Sequence, residues 1–319
     1  MSGFTVTGLT NYVRENADDI YTAAIMEATT LKELGITIQS GIKKTDALMN
    51  FVNTAPLQAD TGCAFNASGS NTFADKDLTV VKVKWQDVFC PEDLETKFLS
   101  TKLTAGSNYE TLPFEELIIG QVVKNINKHI ERLLWQGDTA DAFDTNLKLA
   151  DGWLKVIDAG APVSATVAGA VTESNIIGIL DEMYTLIPED VNGDPDREQV
   201  AMLGWANFKK LIIAGKKLNY FNWDTGNAFK TGEINMPGTG LLVKALNGLN
   251  NVAGGNGDYD DRIILTYPSN LYMGTDLANE YEEAKIWYSD DDQNIKSSIK
   301  FKIGMQVRDI TEVVEYSKT

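Results

Sequence analysis

The sequence is poor in the groups that most reaction chemistry uses. It holds one histidine, His129, and two cysteines, Cys63 and Cys90, in 319 residues. No Ser-His-Asp triad can be assembled unless His129 serves, and that residue lies at the margin of an apolar helical stripe, where a border role is expected. Cysteines so far apart match no metal or redox spacing, which points to a reducing compartment without a disulfide. Basic residues are scarce too: 28 Lys and Arg face 45 Asp and Glu, a net charge of −17. That balance keeps a chain soluble at high concentration and disfavours tight contact with DNA or an anionic membrane. No apolar run approaches the ~20 residues that cross a bilayer. The start, "MSGFTVTGLTNYVREN", lacks the basic-then-apolar pattern of a secretion signal.

Ligand motifs are equally thin. "DVNGDPDRE" places Asp190, Asn192 and Asp194 at calcium-loop spacing. Pro195 stands where the sharp-turn glycine belongs, however, and Ala201 where the bidentate glutamate is needed, so a polar turn is expected. "SDDDQN" (289–294) reads as a hairpin turn. "AGKK" (214–217) lacks the upstream glycine and the hydroxyl residue of a P-loop, and "PGTG" (237–240) is a lone Gly-x-Gly before the strand "LLVKAL". Trp205, Tyr220, Phe221 and Trp223 bracket the start of a long loop and read as core packing. No cofactor, no metal and no catalytic set is expected.

What is present is reach. "TLPFEELIIGQVVKNINKHIERLLWQGDT" reads as one long helix over 112–136. Thr111 can cap it, Pro113 suits its first turn, and Glu115 and Glu116 complement the helix dipole. Ile119, Val122, Val123, Ile126, Ile130, Leu133 and Leu134 share an arc of about 120°. Gln121, Lys124, Asn125, Asn127, Lys128, Glu131 and Arg132 fill the opposite side, and Gly137 is the expected left-handed stop. The result is a strut of roughly 34 Å. Gly120 inside it costs about 1 kcal/mol relative to Ala, so packing must hold the helix. Lys124, Lys128 and Arg132 form a basic stripe, either a solvated face or a contact for an acidic neighbour chain or enclosed nucleic acid.

Around the strut, residues 1–33 read as an arm ending in a helix. "GITIQSG" and "LTVVKVKWQDVF" read as strands, with Val81, Val83 and Trp85 alternating with Lys82, Lys84 and Gln86. Between them, the polar stretch Thr61 to Asp77 reads as the tip of a protruding hairpin, which has little core of its own and must lean on another surface. "CPEDLETKFLS" is an expected short helix, and "LKLADGWLKVI" suggests a hairpin at Asp151-Gly152. After the small-residue linker 160–170 comes an α/β unit. It comprises a helix opened by a capping box at Thr172 or Ser174, strand "EQVAMLG", helix "WANFKKLIIAGKKL", and strand "RIILTY" with a helix from Pro268. Residues 222–240 and 247–261 are long Gly/Asn-rich loops. From 279 the chain returns to strand, with Ile299, Phe301, Ile303, Met305 and Val307 inward. That face and the strut's stripe are natural covers for each other.

This order of parts resembles the major capsid proteins of tailed bacteriophages, the Hong Kong 97-like capsid fold. The resemblance rests on the sequence of elements and on "LQADTGCAFNASGSNTF", "HIERLLWQGD", "PGTG" and "ILTYPSNLYMGTDL". It implies an α+β chain divided into an N-terminal arm (1–33), an extended hairpin loop (34–90), a peripheral domain (91–164 and 279–319) with a spine helix, and an axial domain (165–278). It further implies hexamers and pentamers closing an icosahedral shell around double-stranded DNA. The shell would be assembled in the host cytoplasm and carried in the virion. Implied partners are a separate scaffolding protein, a portal and a decoration protein, without sequence-specific DNA binding or a membrane. Expected assembly contacts are Thr61, Gly62, Ser68, Gly69, Asn71 and Lys76 in the hairpin tip, and Trp223, Gly226, Asn227 and Lys230 in the axial loop. Nothing in the chain matches the residues of a Lys–Asn cross-link, so none is expected. A bacterial encapsulin-like compartment shares the implied fold, and a cytosolic α/β enzyme is the reading of another class.

Overall fold

The computed structural model describes residues 28–59, 68–89, 114–141, 144–166, 169–189, 191, 194, 197–218, 231–250, 261–276, 285–289, 291–292 and 294–318. The arm before residue 28, the expected helix "CPEDLETKFLS", both cysteines, Tyr220 and Phe221 lie outside these, as do Asp190, Asn192 and Pro195 of the calcium-like turn.

In chain order the elements are α1 (Thr29–Leu34), β1 (Thr37–Gln39), β2 (Thr45–Asn53), β3 (Asn71–Thr79), β4 (Val81–Phe89) and α2 (Phe114–Gln136). Next come α3 (Trp153–Ala159), β5 (Val163–Ser164), α4 (Ile176–Thr185), β6 (Val200–Gly204), α5 (Trp205–Lys217), β7 (Glu233–Asn235) and β8 (Leu242–Leu246). The chain ends with β9 (Ile263–Thr266), β10 (Leu271–Thr275), β11 (Lys285–Ser289), β12 (Asn294–Val307) and β13 (Val314–Tyr316).

Two sheets and a ribbon result. In the first sheet β1, β10, β12 and β11 follow one another and β4 also pairs with β12. The strand β12 is its axis: Ile295–Ile303 pair with β4, Asn294–Ser298 with β11 and Ile303–Val307 with β10. The second sheet has the order β5-β13-β9-β6-β8-β7, and β2 with β3 form a separate ribbon.

The strut and the first sheet cover each other as their patterns require. Val123, Ile126, Ile130, Leu133 and Leu134 of α2 share one core with Ile299, Phe301, Ile303, Met305 and Val307. The second sheet is buried on both faces. Val200 and Met202 of β6 join that same core, whereas Ala201 and Leu203 face a second one with Ile179 and Met183 of α4 and Phe208 and Leu211 of α5. Burial on both faces is why "VAMLG" is apolar without alternation.

Several local expectations are corrected. Gly137 is absent from the positive-φ glycines. A Cβ there would fall 2.6 Å from the Leu133 carbonyl and 2.9 Å from the Gly152 nitrogen, so close backbone approach, not left-handedness, demands glycine. The stretch 147–157 is a 3-10 turn, Leu147–Leu149, followed by α3, not a hairpin. No side-chain cap opens α4; the Asn175 side chain instead accepts the Thr172 N–H at 2.7 Å. Pro268 starts a 3-10 turn, and the strand after it, β10, enters the first sheet well before residue 279. Conversely, β13 at the end of the chain pairs with β9 in the second sheet. "LTVVKVKWQDVF" is two strands parted at Val80, and Asn71 to Asp77, expected in a loop, belong to β3. Glu131, placed on the polar arc of the strut, is buried.

Candidate assembly surfaces and the junction that positions them

The last two turns of α2 form a junction of four chain segments. Trp135 packs edge-on against Trp153 of α3, with ring centroids 5.1 Å apart. Its indole N–H donates to the Thr30 hydroxyl at 2.9 Å. The Glu131 carboxylate, 3% exposed, accepts the Thr30 N–H at 3.0 Å, the Thr30 hydroxyl, and the Gly248 N–H at 3.3 Å. Gln136 donates to the carbonyls of Gly248 and Asn250 at 2.6 and 2.8 Å. A Cβ on Gly248 would lie 2.5 Å from the Glu131 carbonyl, so helix and loop touch backbone to backbone. Lys244 of β8 completes the tie, donating to the Glu33 carbonyl at the end of α1 at 2.8 Å. Burial pushes the Glu131 carboxyl above its ordinary pKa, against the hydrogen bonds from Thr30 and Gly248 that pull it down. The pattern of "NKHIERLLWQ" put Glu131 on the outside. Its partners lie more than 100 residues away, and no local signal marks them.

The β2–β3 ribbon is amphipathic. On one face Leu48 and Leu78 are buried with Ile42 and Val80, and Tyr272 packs against them. That face is fastened to the end of β12: Lys76 donates to the Val307 carbonyl at 3.2 Å, and Gln306 to the Asp77 carbonyl at 2.8 Å. On the other face Met49 is 69% exposed, Phe51 53% and Phe73 66%. Phe51 and Phe73 are direct cross-strand partners with centroids 4.9 Å apart. This is an apolar sheet face with nothing over it among the described residues.

The expected tip residues divide accordingly. Ser68 is exposed and its hydroxyl bonds Gln58; Gly69 has φ +108°, where a side chain would strike Ala55. Asn71 faces Asn53 at the outer end of the ribbon, on the same face as the phenylalanines. Lys76 sits at the base as a tether. Thr61 and Gly62 lie outside the described residues, as do Trp223, Gly226, Asn227 and Lys230 of the axial loop. Sequence reasoning missed Met49, Phe51 and Phe73, whose alternation with Leu48 was the available signal. Of the strut's basic stripe, Lys124 and Lys128 are exposed, whereas Arg132 is part-buried and paired with Asp144 at 3.3 Å. His129 is half-buried; burial and then Arg132 hold its pKa below the ordinary value, with Asp144 opposing.

One charged cluster ties α3 to the second sheet. Arg262, before β9, pairs with Asp158 of α3 and with Glu315 of β13. Burial pushes the Glu315 carboxyl up from 4.5 to about 7, with Arg262 opposing and Asp158 adding to the rise. Below pH 4.5 the folded and unfolded chains both hold this proton, and the contribution to stability is whole. Between 4.5 and 7 the unfolded chain releases it first, so stability falls as pH rises, then levels off. A rise of this size corresponds to about 3 kcal/mol. Glu315→Gln is therefore expected to gain about that much relative to the parent between pH 5 and pH 8, read from urea midpoints. A parent and variant with parallel pH profiles would exclude it.

Among the described residues, no group of three or more His, Cys, Asp or Glu side chains can hold a metal, and no helix is long and apolar enough to cross a membrane. No sequence-family model and no curated protein matches the chain. Solved structures do. A chain of the satellite phage P4 procapsid superposes with a TM-score of 0.59 at 14% identity, over 100% of this chain and 92% of that one. The capsid of the empty GTA particle gives 0.58 at 10% identity, over 91% and 89%. The capsid of Myoviridae phage XM1 gives 0.55 at 12%, over 91% and 92%. The chain has the tailed-phage capsid fold. The helix α2 stands where the resemblance led us to expect a spine helix, and the β2–β3 ribbon lies within the stretch 34–90 expected as the extended loop. At 10–14% identity the likeness lies in the path of the chain rather than in its residues.

Proposed function

We propose that the protein is a major capsid protein, a structural subunit and not a catalyst, whose copies close into an icosahedral shell of hexamers and pentamers around double-stranded DNA. The observation that carries this reading is the uncovered face of Met49, Phe51 and Phe73 on a ribbon fastened to the end of β12 through its other face, within a chain that follows the capsid fold. Exposed apolar faces of this kind mark association surfaces. A stiff spine keeps the subunit's shape, while projecting parts gain strength from many simultaneous contacts. The acidic balance suits a container through which DNA must slide. Tip residues 61–71 and loop residues 222–240 serve as neighbour contacts in this reading. A separate scaffolding protein guides closure, a portal and a decoration protein join the shell, and subunits are not welded covalently.

Negative-stain microscopy of the protein expressed with its neighbouring gene products tests the proposal. Uniform closed shells with a nucleic-acid absorbance ratio are expected. Shells holding a single guest protein and no DNA would make it a compartment protein instead. A discrete small oligomer under every condition would overturn the shell altogether.

A further inference from the structure

The cluster that ties α3 to the second sheet holds more carboxyl than counter-charge. Arg262 and Glu315 are both buried, and the Asp158 side chain is half exposed. The Arg262 guanidinium reaches both carboxyls. Its Nη1 donates to Asp158 at 3.3 Å, and its Nη2 is shared between Asp158 and Glu315. Its Nε is buried without a partner among the described residues, so the two carboxyls are what hold it. The carboxyls of Glu315 and Asp158 also lie within hydrogen-bond reach of each other. Two carboxylates at that range repel, whereas a carboxyl and a carboxylate bond through the proton between them. With one proton the cluster is neutral, one guanidinium against one carboxylate. Without it an uncompensated negative charge is left in a buried place, which is costly.

The other charged groups nearby are engaged elsewhere. On β13, Glu315 alternates with Val314 and Tyr316, which belong to the second core, so its carboxyl points to the side where α3 lies. Its register partners are Ser164 of β5 and Ile264 of β9, both uncharged. Lys155, the other charged residue of α3, is held by Asp138 and Asp151. Glu312 pairs with Arg197. Asp261 and Glu182 act on Tyr316 from the opposite face, where Lys210 lies 3.7 Å from Asp261.

The cluster sits at a strained crossing. Trp153, Leu154 and Ile157 of α3 belong to the first core, and the chain then runs through Gly160, Ala161 and Pro162 into β5, the edge strand of the second sheet. A Cβ on Gly160 would fall 2.6 Å from the Ile310 side chain, and Ala161 has φ +52°, a left-handed conformation that alanine adopts only under strain. Beyond it β5 has two residues, fastened by the Val163 N–H to the Val313 carbonyl at 3.0 Å and the Ala165 N–H to the Glu315 carbonyl at 2.9 Å. Asp158 and Ser164 thus both end beside Glu315, with the strained turn between them. We propose that Arg262, Asp158 and Glu315 form a proton-gated clasp: one proton shared between the carboxyls holds the end of α3 on β13, and its loss frees that end, with the crossing and β5, from the second sheet. Release relaxes Ala161 and leaves both cores folded. Because burial raises the Glu315 carboxyl to about 7, the clasp is shut in acid and opens as pH rises through neutrality. It works within one chain and needs no neighbouring copy.

Hydrogen–deuterium exchange on the full chain, corrected for the intrinsic effect of pH on amide exchange, tests the clasp. Protection of the segment 160–166, which carries the Val163 and Ala165 amides, is expected to fall roughly tenfold or more between pH 6 and pH 8.5. Protection of β6 and β12 is expected to stay level over the same range. Glu315→Gln keeps an acceptor for Arg262 and a donor for Asp158 without a titrating proton, so its segment 160–166 should remain protected throughout. Asp158→Asn removes the same shared proton from the other side and should give the same level profile. Level protection of 160–166 in the parent would overturn the clasp. So would a fall that both variants share, or one spread equally over β6 and β12. Should one variant fail to fold, the other decides.

Discussion

Trp135→Ala is expected to lower the stability of the unassembled subunit by about 3–5 kcal/mol, the range for deleting a buried large aromatic side chain. Trp135 is fully buried between Trp153, Thr30 and Gly248. Its loss leaves a cavity where four segments meet, and it frees the Thr30 hydroxyl that Glu131 also uses. Gly248 has no side chain with which to fill the space. Trp135→Phe keeps an edge-on ring and loses the hydrogen bond to Thr30, so a smaller cost of about 1–2 kcal/mol is expected. Urea titration followed by far-ultraviolet circular dichroism measures both without relying on the chain's other tryptophans. If alanine costs less than about 1 kcal/mol, the junction is not packed as described. The start of α1, the end of α2 and the turn after β8 meet here, so a loosened junction is expected to weaken the hold between the first sheet's core and the second sheet. Shells from the alanine variant should accordingly be fewer and less uniform.

How legible this was in the sequence depends on the range over which each residue's environment is decided. The spine's apolar arc, the alternation of β12 and the unbroken run of β6 are local patterns, and each matches its element. Gly137 was visible as a stop, but for another reason: the Gly152 backbone needs its space, and only tertiary structure brings Gly152 there. Glu131 read as solvent-facing because helical periodicity ranks side chains by polarity alone. Its burial, like that of Gln136, is compensated by Thr30, Gly248 and Asn250, partners more than 100 positions away. The ribbon strand β3 was hidden by the opposite error. "NTFADKD" is too polar for a core strand, yet a ribbon needs only one covered face, and that face is Leu78 with the Lys76 tether. The pairing of Lys82 and Lys84 with Lys302 and Lys300 likewise follows from register, which the single strand "VKVKWQ" does not specify.

The same ribbon supplies the largest expected effect on assembly. Phe51→Asp with Phe73→Asp is expected to reduce particle yield more than 100-fold while the subunit's melting midpoint moves little. Both rings are more than half exposed and stack mainly on each other, so within a lone chain the change is a surface substitution worth about 0.5 kcal/mol. In an assembled contact the same positions would be desolvated, and aromatic anchors of that kind carry about 2 kcal/mol or more each. Two aspartates buried there without partners add a desolvation cost. They would also share the ribbon's exposed face with Asp75 and Asp77 of β3, adding negative charge around Met49. If copies meet through this face, each subunit offers a ribbon and receives one, so the loss enters at every contact and the yield of closed particles falls far faster than the affinity of any pair. Phe51→Leu with Phe73→Leu keeps the apolar surface and should assemble within a few-fold of the parent. Normal shells from the aspartate variant, in the presence of the same neighbouring gene products, would show that the exposed face of the ribbon is not where copies meet.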